Sequence, residues 1–115
     1  MIPLVLTLFL AVGSLAGQVK QPDCTDPESW PAGMAYVYLK NSGLAGPGTL
    51  DFTKTKAIRL ASERIGKDLY RQVHLVTFRE RTGGTIQVVT VSDASSAECD
   101  MSEVEAYVVS KKLGP

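Results

Sequence analysis

The sequence predicts an α+β fold: one helix packed on an antiparallel sheet of about four strands, in the order strand–helix–strand–strand–strand, with a single disulfide. Three observations carry that prediction. Two runs rich in β-branched residues flank Gly83 and Gly84, the apolar spacing changes to a helical period after Asp51, and the chain holds just two cysteines, Cys24 and Cys99.

The order of elements begins after an N-terminal stretch that reads as a secretory signal peptide over residues 1–16. No charged side chain occurs before Lys20, and residues 2–12 are apolar apart from Pro3 and Thr7, too short to span a bilayer and the right length for a signal core. Ser14 and Ala16 supply the small residues that a signal peptidase accepts, with cleavage expected after Ala16. Leu15, Ala16 and Gly17 would form a lipobox if a cysteine followed, but Gln18 stands there, so a released rather than lipid-anchored product is expected. Localisation in a bacterial periplasm, or secretion, follows as an expectation, with no membrane association after cleavage.

Residues 17–33 are expected to form a proline-rich arm, since Pro22, Pro27 and Pro31 can neither propagate a helix nor sit in a central strand. Residues 34–115 then form a single domain. Residues 34–40 alternate with a period of two, placing Ala35, Val37 and Leu39 on one face and Tyr36 and Tyr38 on the other, the pattern of a first strand. Residues 41–48, with Gly43, Gly46, Pro47 and Gly48, read as a loop. Asp51 is a candidate N-cap, and Ala57, Ile58, Ala61, Ile65 and Leu69 recur at helical spacing, which predicts a helix from Phe52 to about Tyr70.

Residues 73–80 and 85–92 read as a hairpin, the paired glycines supplying the positive φ angles of a tight turn. Residues 93–102 form a polar loop around Cys99. Residues 104–111 make a last strand, with Val104, Ala106 and Val108 on one face and Tyr107 and Val109 on the other. At the level of topology, one helix with antiparallel strands is similar to cystatin-like and other small exported inhibitor folds; none of their inhibitory motifs is intact here.

An exported chain meets an oxidising compartment, so Cys24 and Cys99 are predicted to bridge, tying the arm to the last third of the chain. A redox role would need a close pair such as CxxC, which is absent. His74 is the single histidine and stands mid-strand, without the ligands a zinc site needs or the partners a catalytic triad needs. No GxSxG, SxxK or GK[ST] signature occurs. The expectation is therefore a protein that is not an enzyme, with no catalytic residue, no cofactor and no metal.

Charge is balanced at net zero, which gives no reason to expect nucleic-acid binding, but the signs separate along the chain. Bases dominate residues 54–81, whereas Asp93, Glu98, Asp100, Glu103 and Glu105 form an acidic segment without a base. Several strands also carry apolar groups on both faces, so one helix cannot cover them all, and the arm, a second copy or a partner must cover the rest. Tyr36, Tyr38 and Tyr107, with the acidic residues, are the candidate partner-binding set. The expected function is a small exported binding or interaction protein, of the kind that inhibits or confers immunity to an envelope enzyme. The alternative is a self-associating envelope protein, a homodimer.

Overall fold

The structure is a computed structural model that describes residues 21–110. The expected signal peptide at 1–16, residues 17–20 and the end of the chain from Lys111 lie outside the described residues.

One helix packs on a four-stranded antiparallel sheet, as the sequence predicts. Helix α1 (Trp30–Asn41) is followed by β1 (Leu50–Gly66), β2 (Leu69–Glu80), β3 (Thr85–Ala94) and β4 (Glu105–Ser110). The strands form a meander in the order β1-β2-β3-β4, each pairing with its chain neighbour. The order of elements differs from the prediction: residues 34–40 are helical, and 52–70 are strand and hairpin turn.

Physical causes account for both exchanges. Trp30–Asn41 starts with Pro31 in its first turn, where the missing N–H costs nothing, behind Ser29 in an extended N-cap conformation. Its buried residues are Pro31, Ala32, Ala35 and Leu39, the three- and four-residue spacing of one helix face. Aromatic residues between them mimic a strand's alternation, and Tyr36 meets Phe52 edge-on with ring centroids 4.6 Å apart.

In β1 the register against β2 slips at three places, between Asp51 and Lys56, between Arg59 and Ala61, and between Arg64 and Gly66. Each slip resets the period of two. Ile58 and Ala61 therefore point to one face and Arg59 and Ser62 to the other, three residues apart in each case, and the sequence imitates a helix. Asp51 keeps the local chemistry of a cap without the helix, its Oδ1 accepting from the Thr53 N–H at 3.1 Å and the Thr53 hydroxyl at 2.6 Å.

The hairpin around Gly83 is as predicted, with Gly83 at φ 108. Asp68, at φ 50 in the β1–β2 turn, accepts from the Ser96 N–H at 3.0 Å and the Ser96 hydroxyl at 2.7 Å, which ties this turn to the β3–β4 loop. Those bonds hold the Asp68 carboxyl below its ordinary pKa.

One face of the sheet is covered, in two halves. Under α1 lies an apolar core of Ala32, Ala35, Leu39, Leu50, Val76, Phe78 and Val88. Beyond the helix the same face continues with Tyr70, Gln72, His74, Thr90 and Ser92, all buried, beneath the arm and the disulfide. The predicted Cys24–Cys99 bridge is present, joining residues 75 apart in sequence. The Pro22 carbonyl accepts from Arg59 Nη1 at 2.9 Å and Gln72 Nε2 at 2.8 Å, and Gln21 Oε1 accepts from the Ser62 hydroxyl at 2.7 Å. The arm thus extends the helix layer and leaves the opposite face alone.

Candidate functional site: the open sheet face

Cross-strand register places the residues of the opposite face in transverse rows. Ile58, Leu75, Val89 and Tyr107 are register neighbours across all four strands. Ala61, Val73, Val91 and Glu105 form the next row, followed by Glu63, Arg71 and Asp93. On the other side of the apolar row stand Lys56, Thr77 and Gln87, then Asp51, Arg79 and Thr85. Ile58 is 54% exposed and Tyr107 53% exposed, and no described residue packs over them. Along β1 the face is hollowed into a depression of 560 Å³ bordered by Lys56, Ile58, Leu75, Thr77 and Arg79.

The two central rows are apolar on β2 and β3, with Glu105 ending the second on β4, because β2 and β3 alternate Val73, Leu75 and Val89, Val91 on this side with buried residues on the other. A soluble chain rarely leaves such a contiguous patch uncovered unless something binds there. Polar groups frame the patch. Arg71 Nε donates to Asp93 Oδ1 at 3.0 Å. This bond and the charges of Asp93, Glu105 and Glu63 hold the guanidinium even more firmly protonated than usual. Tyr107 donates its hydroxyl proton to Glu105 Oε2 at 2.7 Å, which raises the pKa of the phenol. The frame is thus a Glu63–Arg71–Asp93–Glu105 cluster at one end and Lys56 with Arg79 and Asp51 at the other.

The candidate residues named from sequence do not gather in one place. Asp93, Glu105 and Tyr107 lie on the open face. Tyr36 and Tyr38 are on α1, in the layer that covers the other side of the sheet, because the segment is a helix rather than a strand; they do not share a surface with Tyr107. Glu98, Asp100 and Glu103 are exposed in the β3–β4 loop. Asp100 and Cys99 help to line a shallow groove of 620 Å³ at the start of α1, with Glu28, Trp30, Met34 and Val37. Asp93 turns out to belong to β3 rather than to the loop, which is why it pairs with Arg71.

The two apolar faces of β2 and β3 are legible in the sequence, but the row itself is not, because the spacing around Ile58 reads as helical there. Comparison with family models, with curated proteins and with solved structures finds no match to this chain.

His74 lies behind this face, in the covered layer, fully buried opposite Thr90. Neither of its ring nitrogens has a hydrogen-bond partner in the protein, and the same is true of Gln72 Oε1, Thr55 Oγ1 and Thr90 Oγ1. Burial lowers its pKa, the Arg59 charge adds to that effect, and Asp23 opposes it. Among the described residues no three potential metal ligands come together, and no helix is long and apolar enough to cross a membrane.

Proposed function

We propose that this chain is a small exported binding protein, without catalytic activity of its own, whose working surface is the open face of its sheet. The observation that carries this reading is the uncovered apolar row Ile58–Leu75–Val89–Tyr107, framed by charge at both ends. A flat apolar strip with a charged rim has the anatomy of a protein-binding surface, where the centre supplies affinity and the rim sets orientation. The disulfide supports an oxidising compartment, the periplasm or the exterior of a bacterial cell, and removal of residues 1–16 as a signal peptide fits that destination. Within that compartment the reading extends to an inhibitor or immunity protein that occludes an envelope enzyme.

The test is recovery of an envelope protein from periplasmic extract by the immobilised mature chain, compared with an Ile58→Glu variant of unchanged fold. Capture of the same enzyme by the first and not by the second supports the reading; capture of nothing but the chain itself rejects it. Intact-mass measurement of the exported product checks the compartment, with Gly17 as the expected first residue and Met1 as the contrary result. A second reading, self-association, is favoured by the way the rows of the open face complement themselves.

A further inference from the structure

We infer that the open sheet face is covered by a second copy of this chain, related by a twofold axis that runs along the strands between β2 and β3. The inference rests on the reading of this face as the working surface and names what occupies it when the chain is alone.

Symmetry leaves few ways to lay two identical sheet faces together, because a twofold interface presents the same patch on both sides. Sheets packed face to face keep their strands within about 30° of alignment, so the axis runs either across the strands or along them. An axis across the strands, through the apolar row, inverts the rows and sets Arg79 against the partner's Arg71, with Thr77 and Gln87 pressed on the partner's Val73 and Val91. That arrangement buries like charges and strands polar groups on apolar ones.

An axis along the strands keeps each row facing itself and lays β2 over the partner's β3. Arg71 then meets the partner's Asp93, Leu75 meets the partner's Val89, and Ile58 meets the partner's Tyr107. No two like charges stand directly opposite among the register-paired residues, and Glu105 lies over the partner's Ala61 at the edge. Each of these contacts occurs twice, once in each direction, so the charge pattern of the Arg71–Asp93 row is self-complementary in this arrangement.

The extent of the face is also sufficient. Four strands about 4.8 Å apart, with four rows each about 6.7 Å from the next, span roughly 500 Å² of sheet on each copy. Two such faces reach about the 1,000 Å² that separates a specific interface from an adventitious contact. Both α1 layers would lie on the outside of the pair, and the groove beside Cys99 would stay accessible.

Sedimentation of the oxidised mature chain at micromolar concentration tests the inference, and twice the monomer mass is the expected result. Ile58→Glu and Tyr107→Glu, both at exposed positions where folding is not at risk, should return the monomer mass, while Tyr38→Glu on α1 should leave the dimer intact. Arg71→Asp should weaken the dimer and Arg71→Asp with Asp93→Arg should restore it. The axis is read by cross-linking with a short bis-maleimide. Ile58→Cys combined with Tyr107→Cys should join two chains, because these positions lie at opposite edges of one sheet, whereas Ile58→Cys alone should not.

A monomer at every concentration overturns the inference, whether the face is then covered by another part of the same chain or free for a different protein. A dimer indifferent to Ile58→Glu and Tyr107→Glu overturns it equally, as does cross-linking through Ile58→Cys alone. A monomer would leave the proposed function standing, since capture of an envelope enzyme does not require the dimer; failure to capture one would leave the dimer standing.

Discussion

The covered face of the sheet is built in two different ways along the same pair of strands. Beneath α1, Val76 faces Val88 and Phe78 faces Ile86, and the helix closes on them with alanine and leucine. Beneath the arm, His74 faces Thr90 and Gln72 faces Ser92, and the lid is a segment with no regular structure, fastened by Cys24–Cys99 and by bonds to the Pro22 carbonyl. One half gains stability by removing apolar area from water. The other buries polar atoms, some without protein partners, which costs rather than contributes, and needs a covalent clamp to stay closed. The difference teaches where this fold, with a single helix among the described residues, places its disulfide: over the half that cannot hold itself.

The sharpest way to break this comparison is to open the clamp. Replacing both cysteines by alanine frees a loop of 75 residues, worth about 4 kcal/mol by chain entropy. The loss should be uneven. Hydrogen exchange should rise most at Gln72, His74, Thr90 and Ser92, and less at Val76, Phe78 and Val88. Uniform loss of protection across β2 and β3 would mean that the two halves are one cooperative unit.

The apolar half is probed by Phe78→Ala, which leaves a cavity under α1 at a site 1% exposed and should cost about 3 kcal/mol. Chemical denaturation should show this as a lower midpoint with an unchanged slope. A loss below about 1 kcal/mol would mean that α1 settles onto the sheet and that the packing beneath it is loose.

Next in size is the pH response of the polar half. Burial lowers the His74 pKa from its ordinary 6.5, so as pH falls the unfolded chain takes up a proton before the folded one does. Stability is then complete above about pH 6.5 and declines as pH drops below it toward the folded pKa, with a slope of at most about 1.4 kcal/mol per pH unit. His74→Leu, which keeps volume and removes the unpartnered nitrogens, should abolish that decline and leave stability at pH 7 unchanged or higher. Asp51 and Asp68 also lose stabilising bonds on protonation, but both pKa values are lowered from 3.8, so their contribution is lost only in more acid solution. A wild-type stability that is flat between pH 7 and 5 would show that His74 finds a partner for its proton.

These two halves also mark how much of the molecule was legible in its sequence. The class, the disulfide, the Gly83 hairpin and the facing of β4 could be read because each follows from a local rule: glycine at positive φ, two cysteines in a chain expected to be exported, alternation along a paired strand. Helix and first strand exchanged places because both signals were counterfeit. Tyr36 and Tyr38 alternate with Ala35 and Leu39 as if in a strand, yet Pro31 behind Ser29 was an N-terminal helix signal that the neighbouring prolines concealed. The slips in β1 turn a period of two into apparent threes, and a bulge leaves no mark on composition. For the same reason the site is only half legible: Tyr107, Asp93 and Glu105 fall on the open face, but the spacing around Ile58 reads as helix and that around Tyr36 as strand, and the row that unites the face exists only once β1 is placed at its edge.

The smallest effect tests the seam between the halves. Trp30 stands in the first turn of α1 and donates its indole N–H to the Ser102 carbonyl at 2.9 Å, joining the helix to the loop that carries Cys99. Trp30→Phe keeps most of the ring and removes that bond, which lies partly in solvent, and should cost about 0.5 to 1 kcal/mol. If the bond couples the two lids, exchange should rise in the β3–β4 loop while Val76 and Phe78 remain protected. If exchange does not change anywhere, Cys99 alone joins the clamp to the helix layer, and opening the disulfide should then release the arm and the loop with no effect on α1 at all.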